Sequence, residues 1–205
     1  TNTGISNEVF ISGLRAYSRF DSNEVIISKK PKLKPLSFLF KFADGFINLF
    51  IDNFSSQIKC PNNTAVITAI DDEAFEFIKQ HQTANLFKRS KSEFNWILNY
   101  PWVLSSNTID RVSANYHFSS IAKYFRYINV KFYNDKKEIE GFVTLQIRDK
   151  HLSVFNAYFK ASQTSAITNY IYHVIKKYKT NSFSIYNKDL IDFMIKNPNP
   201  FIYKK

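Results

Sequence analysis

The chain from Ala65 to the C-terminus predicts a mixed α/β (α+β) domain, and three observations carry that expectation. Residues 125–132 and 142–148 interleave apolar with polar side chains, and in the second run Val143, Leu145 and Ile147 alternate with Thr144, Gln146 and Arg148, the period of a half-buried strand. Each run ends at a short turn signal, Asn134-Asp135 and Asp149-Lys150, so with the β-rich run 152–159 they read as an antiparallel three-strand meander. After it, Ala166, Ile167, Tyr170, Ile171, Val174, Ile175 and Tyr178 recur on one helical face.

The remaining elements follow from local signals. Residues 5–20 place Val9, Phe10, Gly13, Leu14 and Tyr17 near a helical stripe, and 24–28 reads as a short strand. Pro31 and Pro35 then interrupt regular structure. Residues 36–50 are the most apolar segment, with Leu36, Phe38, Phe40, Phe42, Phe46 and Phe50 against only Lys41 and Asp44 as charges. As a helix this run reaches about 22 Å, too short to cross a bilayer. It is expected to pack against another domain or subunit, with a membrane surface as the alternative. Pro61, Asn62 and Asn63 mark a turn that divides a 1–60 appendage from a 61–205 domain.

Residues 65–70 form a β-branched run, and Asp71 and Asp72 stand at the N-cap of a helix that has Glu73 and Glu76 in its first turns. A second helix starts near Ser90 or Ser92, carries Phe94, Trp96, Ile97 and Leu98, and stops before Pro101. Ser162, Thr164 or Ser165 can cap the helix after the meander. A strand at 181–186, a helix at 188–196 and a strand at 201–203 complete the order.

Composition narrows the function classes. One cysteine, Cys60, excludes an internal disulfide framework and a multi-cysteine zinc site. His81, His117, His151 and His173 have no metal-ligand spacing, so no metal is expected. No Gly-x-Ser-x-Gly elbow, Walker loop or dinucleotide fingerprint occurs. The net charge of +11 suits an anionic partner: a phosphate-bearing ligand, nucleic acid or anionic lipid. The lysine pairs are spread through the chain with no nucleic-acid motif, so nucleic acid is not the expected partner. No spanning segment or signal-peptide pattern is present, and the chain reads as soluble and cytoplasmic.

The order strand, two helices, three-strand meander, helix, strand, helix, strand resembles the Gcn5-related N-acetyltransferase superfamily over residues 65–205. The local phrase Phe94-Asn-Trp-Ile-Leu-Asn-Tyr-Pro-Trp102-Val is similar to bacterial acetyltransferase-like proteins that carry tandem copies of the fold. On that reading residues 5–28 close a preceding copy, residues 36–50 pack between copies, and the chain is a fragment of a longer protein.

The resemblance implies acetyl-CoA or another acyl-CoA as cofactor and an amine as acceptor. It places the pantetheine arm along the third meander strand, near Phe155 and Asn156, and the pyrophosphate on the following loop, at Ser162, Gln163, Thr164 and Ser165. Trp96, Tyr100 and Trp102 fall where the first two helices overhang the acceptor, with core packing as the alternative for them. For Asn156 the alternative is an ordinary sheet amide.

Two departures stand out. The family's phosphate loop is glycine-rich, whereas Lys160-Ala-Ser-Gln-Thr-Ser-Ala166 has no glycine, so side chains hold the backbone away from a phosphate. The family's tyrosine acid belongs in the 188–196 helix, which has Phe193, a side chain that cannot transfer a proton. The expected function is therefore either an acyl-CoA-dependent N-acyltransferase with an atypical loop or a degenerate accessory copy. A noncatalytic basic module for an anionic partner is the alternative. The largest cleft is expected beside the splayed ends of strands 152–159 and 181–186, bordered by Trp96, Tyr100 or Trp102.

Overall fold

The computed structural model describes residues 13–22, 26–27, 29–56, 59–82, 88–105, 121–199 and 201–204. The meander is β5 (Phe125–Tyr133), β6 (Ile139–Arg148) and β7 (His151–Phe159), paired sequentially and antiparallel as its alternation predicts. The two turns use left-handed residues, Lys137 at φ 62° and Asp149 at φ 54°. The second is held by Asp149 Oδ1, which accepts the backbone N–H groups of Lys123 (2.8 Å) and Tyr124 (3.2 Å).

Around the meander the chain builds one seven-stranded, mostly antiparallel sheet. Its order is β2 (Thr64–Ile67), β5, β6, β7, β8 (Ser182–Ile185), β1 (Leu14–Tyr17) and β9 (Ile202–Lys204). Only the β7–β8 contact in this sheet is parallel. A separate two-residue parallel pair joins β3 (Leu104–Ser105) to β4 (Ile121–Ala122).

The helices are α1 (Ser37–Ser56), α2 (Asp72–His81), α3 (Lys91–Asn99), α4 (Thr164–Tyr178) and α5 (Lys188–Lys196). On one face of the sheet α4 buries Ile167, Tyr170, Ile171, Val174 and Ile175 against Val130, Val143, Leu145, Leu152 and Phe183. On the opposite face Ala74, Phe77, Ile78 and Phe94 from α2 and α3 enclose Phe142. Both of these helices have the caps their sequences predict. Asp71 accepts the Ala74 N–H at 2.9 Å, and Ser90 forms a capping box with Glu93.

Three local expectations are corrected. Residues 14–17 form a strand, not part of a helix, because Leu14 and Ala16 enter the core while Arg15 faces outward, and both neighbours, β8 and β9, lie far away in sequence. The division at residue 60 thus separates these residues from 61–205 in sequence but not in the sheet; residues 5–12 lie outside the described residues. Ile26 and Ile27 sit in a helical turn, with the N–H groups of Lys29 and Lys30 donating to the Ile26 carbonyl at 3.1 and 2.9 Å, where a strand was expected. Finally, no side chain caps α4. The chain enters it through a 3₁₀ turn at Ala161–Gln163, which leaves Gln163 already in a helical conformation.

Candidate functional site

The third meander strand carries a β-bulge. Thr144 pairs with Asn156 and Leu145 with Val154, so Phe155 is the extra residue, and such an insertion bends its strand. The parallel β7–β8 contact covers only His151 to Ser182, Leu152 to Phe183 and Ser153 to Ser184. Beyond Ser153 the two strands diverge and leave β7 without a strand partner on that side among the described residues. A cavity of about 340 Å³ opens there, lined by His81, residues 155–159, Asn187 and Asp189. Phe155 and Asn156 therefore sit together in this wedge.

The residues expected at a phosphate are engaged elsewhere. Glu140 on β6 accepts hydrogen bonds from Ser162 Oγ (3.1 Å), Gln163 Nε2 (3.1 Å), Asn134 Nδ2 (3.2 Å) and Lys160 Nζ (3.2 Å). The Lys160 N–H also donates to the Glu140 carbonyl at 2.9 Å. The Gln163 amide contributes most to holding the Glu140 carboxyl down to about 2, followed by Asn134, with burial opposing them. Thr164 Oγ1 donates to the Ala161 carbonyl at 2.9 Å, and Ser165 is exposed. The wedge thus fits a narrow arm lying along β7. The loop does not fit a diphosphate, because an ionised carboxylate occupies its side-chain donors and repels a second anion.

A larger cleft, about 880 Å³, opens at the paired starts of β7 and β8 rather than at their splayed ends, correcting the expected position. Register explains it. One row across the sheet reads Arg15, Ser184, Ser153, Gln146, and the next reads Tyr17, Ser182, His151, Arg148. These residues lie on the face opposite α4. Three serines among larger neighbours leave a depression in the sheet, and His151 orders them: Nδ1 lies 2.8 Å from Ser182 Oγ and Nε2 lies 3.0 Å from Ser184 Oγ. Arg15, Lys123, Arg148 and Lys150 line the cleft, against one carboxylate among the described residues, that of Asp149 in the β6–β7 turn, which already accepts the Lys123 and Tyr124 N–H groups.

Trp96, Tyr100 and Trp102 are all exposed, which removes the core-packing alternative. Trp96 and Tyr100 contact each other, while Trp102 receives the Arg148 guanidinium 5.7 Å from its ring centroid. None of the three lines either cavity described above, and Trp102 touches the larger cleft only through Arg148.

Sequence reasoning passed over two further features. The Tyr127 hydroxyl is buried without a hydrogen-bond partner among the described residues, its pKa raised by burial, and its ring lies 5.5 Å from that of Phe155. Tyr186 lines the larger cleft and lies across Gly13, where an added Cβ would fall 2.3 Å from Tyr186 Cε1. Gly13→Ala is expected to push that half-exposed ring outward at a cost of about 1 kcal/mol, readable as a lowered thermal midpoint. An unchanged midpoint would show that the ring is not anchored there.

No protein-family model and no curated protein matches the sequence. Among solved structures, a conserved protein of Enterococcus faecalis V583 described as a probable N-acyltransferase is similar at 16% identity and a TM-score of 0.43, covering 71% of this chain and 33% of the other. A conserved protein of unknown function from Staphylococcus epidermidis gives 9% identity and a TM-score of 0.40 over 75% of this chain and 54% of the other. Saccharomyces cerevisiae N-myristoyltransferase, with bound myristoyl-CoA, gives 13% identity and a TM-score of 0.39 over 71% of this chain and 39% of the other. The chain spans about a third to a half of the length of these neighbours.

Proposed function

We propose that the chain is an acyltransferase-like domain that admits the pantetheine arm of an acyl thioester into the wedge between β7 and β8 and holds acyl-CoA weakly. The observation that carries this reading is the bulge at Phe155 together with the divergence of β7 from β8. It exposes strand backbone groups to a ligand without breaking the sheet. Acyl-CoA, when bound, supplies an activated acyl group at the end of its arm.

The roles of the chain's own residues follow from their positions. Residues 155–159 orient the arm. The cleft at Arg15, Arg148, His151, Ser153 and Ser184 receives the acceptor from the open face, an amine that also carries anionic groups to match the cationic lining, with Trp102 beside Arg148. Phe193 offers no proton, so the position that the family gives to a tyrosine acid supplies none, and proton transfer falls to water or to another side chain. A second reading, a noncatalytic module for an anionic partner, is favoured by the four cationic side chains of the cleft.

Calorimetry with acetyl-CoA at physiological salt tests the first reading. The expected Kd is at or above about 0.1 mM, no more than about 5 to 6 kcal/mol, because long-range attraction is screened beyond about 8 Å and the loop offers the diphosphate no converging donors. A low-micromolar Kd little changed by doubling the salt would contradict it.

A further inference from the structure

Helix α1 buries Ile51 and half-buries Phe40 and Ile47 on its inward side, and it leaves a second apolar arc outside. At about 100° per residue its side chains divide into two arcs. Asp44, Asn48 and Asp52, spaced by four, face the protein. Asp44 Oδ2 accepts from Ser22 N (3.1 Å) and Oγ (2.7 Å), and Asp52 pairs with Arg19. Asn48 exchanges two 2.8 Å hydrogen bonds with the Phe20 backbone. The outward arc, about 120° wide, holds Phe38, Leu39, Phe42, Phe46, Leu49 and Phe50, with Phe42 83% and Phe46 75% exposed. Surface helices ordinarily bury the apolar stripe. Here Ile51, Phe40 and Ile47 pack inward beside the polar bonds of Asp44, Asn48 and Asp52, and the stripe is a further apolar face that stays exposed.

The flanking charge indicates what covers it. Residues 25–43 contain Lys29, Lys30, Lys32, Lys34 and Lys41 and no acidic residue. The first four are exposed and lie in or beside the 3₁₀ turn Pro31–Leu36 that runs directly into α1. On α1 itself, Asp44 and Asp52 are bonded on the inward side. An aromatic-rich apolar stripe with a basic cluster at one end complements an anionic lipid surface, into which such a helix sinks by its apolar face. A protein groove would gain from the lysines only with an acidic rim, whereas an anionic bilayer offers negative charge all along its surface. No helix among the described residues is long and apolar enough to cross a membrane, so α1 would lie on the surface. We propose that α1 and the lysines before it dock this domain on an anionic lipid bilayer, independently of whether the wedge binds an acyl thioester.

The test is co-sedimentation of the full chain with vesicles of phosphatidylcholine alone and of phosphatidylcholine mixed with phosphatidylglycerol. The expected result is at least about tenfold stronger partition into the anionic vesicles, falling with added salt, since each lysine near the surface adds to the attraction. Phe42→Ser/Phe46→Ser should lower that partition by about tenfold or more. Both positions are exposed, so an unchanged thermal midpoint would show that the fold is intact, and Lys32→Gln/Lys34→Gln gives a second, charge-only variant. Partition into neither vesicle, equal partition into both, or equal partition by the Phe variant overturns the proposal. So does self-association without lipid that the Phe variant abolishes, which would assign the stripe to a second copy of the chain.

Discussion

Replacing both carboxylates that hold Lys131, as Asp71→Asn/Glu73→Gln, is expected to lower folding stability by about 2 to 3 kcal/mol. Lys131 lies on β5 under α2 with its side chain 7% exposed, and its ammonium bonds Asp71 Oδ2 at 2.8 Å and Glu73 Oε2 at 2.6 Å. Removing the counter-charges leaves a buried cation unpaired. The figure sits below the usual range for a broken buried pair because both carboxylates are half exposed and screened by water. Asn retains the helix cap at position 71, so cap loss does not contribute. Lys131→Met removes the charge and keeps most of the stem, and should cost about 1 kcal/mol or less. Urea denaturation of the three proteins reads this asymmetry. Equal losses, or a double variant as stable as the parent, would contradict it.

The same cluster fixes a pH dependence. Burial raises the Asp71 pKa, but the hydrogen bonds from Lys131 and the Ala74 N–H, with the charges of Lys131 and Lys91, outweigh it and hold the carboxyl below its ordinary value. A depressed carboxyl contributes stability that is present above its unfolded pKa, about 3.9, and lost as pH falls through its folded value. Asp71 therefore steepens the stability loss below about pH 4, and Lys131→Met should flatten that limb.

The meander was legible because its signals are local: side-chain alternation and the turns at Asn134-Asp135 and Asp149-Lys150. β1 was not, because four residues support either period and only Ser182–Ile185 and Ile202–Lys204 make Leu14–Tyr17 a strand. The glycine-free loop was equally plain in sequence. Its occupant was hidden, since Glu140 lies some twenty residues earlier and reaches the loop only through the β6–β7 pairing. Helical spacing likewise groups Phe42 with Phe46 and Asp44 with Asn48. It does not say which arc faces the protein, and that depends on distant partners at residues 19–22. The cleft has the same origin, because Arg15, Ser184 and Ser153 become neighbours only through the register of three strands.

On the proposed function the wedge admits a pantetheine arm while the loop refuses the diphosphate. The most direct measurement compares acetyl-CoA with S-acetyl-pantetheine, which carries the same thioester arm without the phosphates, by calorimetry on the unaltered chain and on Glu140→Gln. The unaltered chain is expected to bind both with Kd values at or above about 0.1 mM and within about threefold of each other. Glu140→Gln, which removes the ionised carboxylate from the loop, should strengthen acetyl-CoA binding by about threefold or more and leave acetyl-pantetheine unchanged. Acetyl-CoA bound about a hundredfold more tightly than acetyl-pantetheine by the unaltered chain, with that preference reduced in Glu140→Gln, would mean that the loop cradles the diphosphate and would contradict the account.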